Sequence, residues 1–120
     1  MFADPAVVTI NAVAKNLVRI NQDKYSSEYL LRTATEEHRL NIRNSSYTDK
    51  KRGVTIDRHN VELIWTVFPV APATLSTIRK SYVVIENQRG DTLVDPRNAA
   101  VGLLAFTTSA NIDKLMNSES

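Results

Sequence analysis

Along most of the chain apolar residues recur at every second position, the period of a half-buried strand, and the spacing becomes helical only near the end. Val7, Val8 and Ile10, then Val13, Leu17, Val18 and Ile20, read as two short strands with a turn near Asn11, a hairpin over residues 5–20. Asn21-Gln22-Asp23-Lys24 is a polar turn, and a third strand runs from Ser26 to Thr33 through Tyr29, Leu30 and Leu31. Between Arg39 and Arg43 the alternation is clean: Leu40 and Ile42 point one way, Arg39, Asn41 and Arg43 the other. Ser45 to Gly53 reads as a long polar loop, with Lys51-Arg52-Gly53 turning the chain back. His59, Val61, Leu63, Trp65 and Val67 then share one face, opposite Arg58, Asn60, Glu62, Ile64 and Thr66. Pro69 and Pro72 have no N–H for a sheet ladder, so Pro69 to Ser76 is predicted as a loop. Ile78 to Asn87 is strand again, centred on Tyr82-Val83-Val84-Ile85, and Arg89-Gly90-Asp91 leads the chain out of the sheet.

Helical spacing takes over at Asp95-Pro96, where Asp is the expected N-cap and Pro the first helical residue. Ala99, Ala100, Leu103, Leu104 and Phe106 form an apolar stripe, and Ile112, Leu115 and Met116 predict a second, short helix. Gly102 costs the helix about 1 kcal/mol relative to Ala, which fits a site where another backbone comes close. Strands first and helices last predict one α+β domain over residues 1–120, with a sheet in 26–88 and helices in 95–117. About five long strands are too wide for two short helices to cover. Two solutions remain, a sparsely covered monomer or a symmetric dimer in which a second copy covers the face, and the second buries more apolar surface.

Composition narrows the field. With 120 residues, 42% hydrophobic and 23% charged, the chain fits a single globular domain, and no apolar run approaches the roughly 18 residues of a membrane helix. The first residues lack the basic and apolar regions of a secretory signal. Zero Cys excludes a disulfide framework, a thiolate zinc site and a Cys nucleophile. A net charge of +2 is too mild for a chain held to nucleic acid by charge alone, but it is unevenly placed. Residues 38–60 hold six basic and two acidic side chains, whereas residues 86–120 hold three basic and five acidic ones. A positive end of this kind suits a polyanion, and a solvated hairpin has the same look.

Catalytic constellations are missing. The motifs of metalloproteases, nucleophile-elbow hydrolases, P-loop enzymes and dinucleotide-binding folds do not occur, and there are three glycines in all. His38 and His59 fall on different strands, and the parity of His59 with Val61 and Leu63 predicts an inward, hydrogen-bonded side chain rather than a base. Asp91 and Asp95 flank a turn; helix capping accounts for Asp95 as well as a cation would, and no metal or other cofactor is expected. The chain is therefore expected not to be an enzyme. What remains is a polar sheet face carrying Arg39, Asn41 and Arg43 beside Arg58, Asn60 and Glu62, with Lys80 and Tyr82 adjoining. Cations take phosphates, amides take base edges and a phenol stacks, so the face suits single-stranded or looped RNA; an ordinary solvated face is the other reading.

Several strings resemble the coat proteins of the single-stranded RNA bacteriophages, the leviviruses. Arg19-Ile20-Asn21-Gln22-Asp23-Lys24-Tyr25-Ser26-Ser27-Glu28-Tyr29 is similar to the Caulobacter-phage branch, as are Arg58-His59-Asn60-Val61-Glu62 and Tyr82-Val83-Val84-Ile85. Ile42-Arg43-Asn44-Ser45-Ser46 and Lys80-Ser81-Tyr82 resemble coliphage coats, and the likeness spans roughly residues 6–117. It implies an N-terminal hairpin, a five-stranded antiparallel sheet and two C-terminal helices laid across the sheet of an interlocked partner, giving a ten-stranded surface. It also implies dimers assembled into a quasi-equivalent (T=3) icosahedral virion shell, put together in the bacterial host cytoplasm. In such shells the sheet faces the genome and grips an RNA hairpin that represses replicase translation. Carried over by position, Arg39, Asn41 and Arg43 fall on the RNA-facing fourth strand, and Arg58, Asn60 and Glu62 on the next. Tyr82 matches a base-stacking tyrosine and Lys80 a neighbouring basic position, while Val84 stands where the family often has an RNA-contacting asparagine. Pro69 to Ser76 corresponds to the loop gathered around the shell's symmetry axes. The alternative from another class is a cellular single-stranded nucleic-acid-binding β protein without a capsid role; a small dimeric sheet enzyme is a third.

Overall fold

The structure, a computed structural model, describes all 120 residues. Six strands follow one another in an antiparallel meander: β1 (Ala6–Ile10), β2 (Val13–Gln22), β3 (Ser26–Arg32), β4 (Glu36–Asp49), β5 (Val54–Val67) and β6 (Thr77–Gln88). Two helices, α1 (Val94–Phe106) and α2 (Ser109–Met116), close the chain. This is the α+β, coat-like order expected, with differences that have physical causes.

The N-terminal hairpin turns through Asn11 and Ala12, both at positive φ (52° and 61°), the conformation of a tight hairpin turn. Strand β2 does not stop at Ile20. Its first half pairs with β1, its second half pairs with β3, and a bulge between Arg19 and Asn21 bends it from one partner to the other. Residues 26–88 therefore hold four strands rather than five, and the fifth strand of the main sheet is the end of β2.

Ser45 to Gly53 is not a long loop. Residues up to Asp49 continue β4, pairing Ser45 with Arg58, Tyr47 with Ile56 and Asp49 with Val54. Tyr47 and Thr48 on one side and Val54, Thr55 and Ile56 on the other are β-formers, and they zip the hairpin down to Lys50–Gly53. Gly53 supplies the left-handed residue (φ +65°) that closes the turn.

Helix α1 is not capped by Asp95. Leu93 occupies the cap position without a side-chain bond, and the Asp95 carboxylate accepts from the Thr92 hydroxyl at 3.2 Å. Helix α2 does have a side-chain cap, Thr108, which accepts from the Asn111 N–H. Apart from its own helical turn, the chain has no atom within 4 Å of where a Cβ on Gly102 would stand, so no close neighbour within one chain accounts for that glycine.

Register divides the main sheet into two faces. On the core face Leu17, Tyr29, Leu31, Leu40 and Ile42 come together, and Ala6 and Val8 of β1 pack against them. Ala6 is the ladder partner of Leu17, and the segment before β1 lies against the same cluster, with Met1 and Phe2 sharing a cleft with Tyr29 and Ile42. Arg19 ties the cover down: its guanidinium lies over the Tyr29 ring, bonds the phenol and donates to the Phe2 carbonyl at 2.5 Å. Beyond the hairpin the core face is bare. Only five of 120 residues are buried, and no residue of either helix is among them. Phe106 is 65% exposed, and Leu103, Leu104, Leu115 and Met116 also face solvent.

Candidate nucleic-acid interface

All eight candidate residues fall on the opposite, polar face. The ladders pair Asn41 with Glu62 and Glu62 with Tyr82, Arg43 with Asn60, Arg39 with Ile64, and Ile64 with Lys80. Arg58 lies one step further along β5, across from Ser45. Because partners in a ladder share a side, Arg39, Asn41, Arg43, Arg58, Asn60, Glu62, Lys80 and Tyr82 form one patch across β4, β5 and β6.

Glu62 organises its centre. Its Oε1 accepts from Asn41 Nδ2 and from Arg43 Nη2, each at 3.2 Å, and its Oε2 is 4.0 Å from Lys80 Nζ. Arg39 is likewise engaged, with Glu28 on β3 and with Glu37 at 3.3 Å. Most cations of the face are therefore matched by carboxylates, a feature that residue types alone did not reveal. Arg58 is the exception: it is exposed and takes part in no ion pair. Tyr82 is 64% exposed, so a ring face is open to solvent.

Next to Arg43 and Arg58 the face dips into a cleft of about 530 Å³ whose walls include Lys24, Tyr25, Ser26 and Asn60. The Asn60 Oδ1 is buried there without a hydrogen-bond partner. Sequence reading missed Lys24 and Tyr25, which lie in the β2–β3 turn and reach this face only because β3 brings the turn alongside Arg43. It missed Tyr47 as well, through the loop assignment corrected above.

The other candidate chemistry resolves differently. His59 lies on the core face, with Nδ1 2.7 Å from Asn44 Oδ1 and Nε2 2.8 Å from Asn87 Oδ1, a hydrogen-bonded histidine as its parity predicted. His38 is fully buried on that face, stacked on Trp65 with ring centroids 5.3 Å apart, and neither of its nitrogens has a partner. Burial pushes its pKa below the ordinary histidine value, the Lys15 ammonium adds to that, and Glu36 opposes both. Trp65 in turn donates to Glu36 at 3.0 Å, which holds that carboxyl below the usual range. Asp91 accepts from the Thr92 N–H and Asp95 from the Thr92 hydroxyl, and no three His, Asp or Glu side chains are grouped so as to hold a metal ion. No helix is long and apolar enough to cross a membrane.

Comparison with known proteins gives one family. No curated protein matches the chain. The family model described as "Phage phiCb5, coat protein" matches residues 3–88, from the N-terminal segment through the end of β6. A curled antiparallel sheet followed by two C-terminal helices is the architecture of the RNA-phage coat. The chain belongs to the phage phiCb5 coat protein family, a family of RNA-phage coat proteins of the Caulobacter branch.

Proposed function

We propose that this coat protein works as an interlocked dimer whose polar sheet face lines the shell and holds the RNA genome. Coat proteins of the family are structural rather than catalytic, and they self-assemble into the virion capsid. The observation that carries the finer reading is the patch of eight residues on one face, opposite the face that the hairpin covers.

Three further facts support it. Both helices leave their apolar side chains in solvent, and the core face beyond the hairpin has nothing on it. Strand β6 is an edge of the meander, and an edge of twelve residues invites pairing with a partner's β6, which would give ten strands from two five-stranded sheets. The segment from Pro69 to Ser76 stands clear of the sheet, where dimers would meet around the axes of a quasi-equivalent shell. Repression of replicase translation through an RNA hairpin is part of the same proposal, with Tyr82 stacking on a loop base and Arg39, Arg43 and Arg58 contacting phosphates.

The test has two parts. Expressed protein should elute as a large RNA-containing particle, and elution as a small RNA-free species would count against a capsid role. Hairpin affinity should then fall with Tyr82→Ala but stay nearly intact with Tyr82→Phe, since stacking contributes about 1–3 kcal/mol per base and needs no hydroxyl. Equal binding by wild type and Tyr82→Ala would remove the stacking role.

A further inference from the structure

Tyr47 stands on β4, six residues from the Asn41–Glu62–Tyr82 row and therefore about 20 Å from it along the strands. It lies on the polar face, since it shares parity with Arg43 and Ser45. Its phenol donates to Glu86 Oε2 at 2.5 Å, and Glu86 belongs to β6. Backbones two strands apart are about 9.6 Å from each other, so a bond from β4 to β6 carries the tyrosine across β5. The residue of β5 directly opposite Tyr47 is Ile56. Although it sits on the polar face, Ile56 is only 8% exposed, as expected where a side chain crosses β5 above it. Tyr47 itself is 46% exposed, so the ring face away from Ile56 is open.

The electrostatics of this end differ from those of the centre. Arg58, the unpaired guanidinium, is one step away on β5 and near enough to favour the phenolate of Tyr47, against the stronger opposite effect of Glu86. The Lys50-Lys51-Arg52 turn closes the same end, and Arg52 reaches Gln88 at 2.6 Å. Four cations, Arg58 and those of the Lys50-Lys51-Arg52 turn, against the carboxylates of Asp49 and Glu86, thus surround a half-exposed aromatic ring held by one hydrogen bond, the combination used to bind single strands without sequence preference.

We propose that Tyr47 is a second base-stacking residue, held across β5 by Glu86 beside the free Arg58, and that it extends the RNA track to the far end of the sheet. The proposal rests on the reading of the polar face as the RNA-binding surface. A strand engaging both tyrosines must span the length between them, so the contribution of Tyr47 depends on RNA length.

The experiment measures binding of single-stranded oligoadenylates of about four and about sixteen nucleotides, the ends of the usual site-size range, to the full-length chain. Tyr47→Leu keeps an apolar cover over Ile56 but has no ring; Tyr47→Phe keeps the ring without the Glu86 bond. Leucine should weaken the long oligomer about five- to 160-fold, the worth of one stacked base, and leave the short one unchanged; phenylalanine should bind both nearly as wild type. Tyr47→Trp supplies a readout that holds even if the leucine variant folds poorly, since its added indole emission should be quenched by the long oligomer and not by the short. Wild-type affinity of Tyr47→Leu for the long oligomer, with Tyr82→Ala and Arg43→Ala weakened, would overturn the role of Tyr47 alone. Unchanged binding in all of these variants would overturn the RNA-face reading itself.

Discussion

Glu62 sets the terms on which the polar face would meet the proposed RNA. A phosphate approaching Arg43 or Lys80 has to compete with a carboxylate already in place, whereas one approaching Arg58 does not. Arg58→Ala should therefore flatten the salt dependence of single-strand binding by about 0.7, the value for one full phosphate contact, and Arg43→Ala by less. Glu62→Gln keeps an acceptor for Asn41 but removes the charge, so it should tighten RNA binding at low salt. Affinities of the three variants measured across a salt series check both statements, and weaker binding by Glu62→Gln would assign that carboxylate a direct contact with the RNA. His38 makes a separate prediction on the other face. Its folded pKa lies below the unfolded value near 6.5, so the unfolded chain binds more protons. The neutral, buried ring then stabilises the fold fully above about pH 6.5, and that stability is lost as pH falls toward the depressed folded pKa. Denaturation midpoints measured from pH 7.5 to 5 should drop for wild type and drop less for His38→Phe; parallel curves would show that His38 does not titrate on unfolding. Glu36 acts in a lower window, contributing above its usual carboxyl range and losing its contribution as pH falls through its lowered pKa. At this scale alternation told which face each residue occupies, because a strand has only two. It could not tell that Glu62 ties three neighbours together, because that depends on register between strands far apart in sequence.

Strand β2 is the clearest case of one element doing two jobs. Ten residues with a bulge after Arg19 serve the hairpin first and the sheet second. The alternation of Val13 to Ile20 was legible, but a bulge leaves little trace in the apolar pattern, and Asn21-Gln22 looked like a turn. The far ends of β4 and β5 were illegible for a related reason. Ser45 and Ser46 are polar on both sides, and the one buried residue at this end, Ile56, lies on the polar face, so there is no period-two contrast to read. Only the β-forming pairs Tyr47–Ile56 and Thr48–Thr55 betrayed it. The helices were legible from their stripes, yet their own chain gives those stripes nothing to cover. Leu104 provides the test of the partner's sheet as their cover, close to Leu63 and Trp65. Truncation to Ala should cost about 2–5 kcal/mol if the side chain is buried in the dimer, against almost nothing if it remains as exposed as in one chain. Equilibrium unfolding of both proteins at matched concentration measures the difference, and a loss below 0.5 kcal/mol, the range of ordinary surface substitutions, would place Leu104 outside the interface.

The whole chain is more open than a compact domain of its length. A compact protein of this length exposes roughly 6,500 Å² and has a radius of gyration near 14 Å; this one exposes 9047 Å² with a radius of 17.3 Å. Its extents of 55 × 38 × 27 Å describe a slab with two arms. At the next level up, the loop from Pro69 to Ser76 is expected to govern how dimers meet. Val70 and Leu75, at 77% and 85% exposure, are its apolar tips. Replacing the loop by a tight turn should leave dimers intact by sedimentation and abolish or change the particles; normal shells from that variant would remove the loop from the assembly contacts.

Two helices with no buried residue carry a consequence for the life of a newly made chain. A lone copy would offer proteases and chaperones unprotected arms, and would gain its stability only by meeting a second copy. Survival then rises with the rate of synthesis, since pairing scales with the square of the concentration of free chains while degradation scales with the first power. Slow translation would leave such chains to be cleared, and fast translation late in an infection would carry them past a threshold into durable pairs. In the proposed dimer the bare helices would act as a census, committing material to particles only where many copies are made at once.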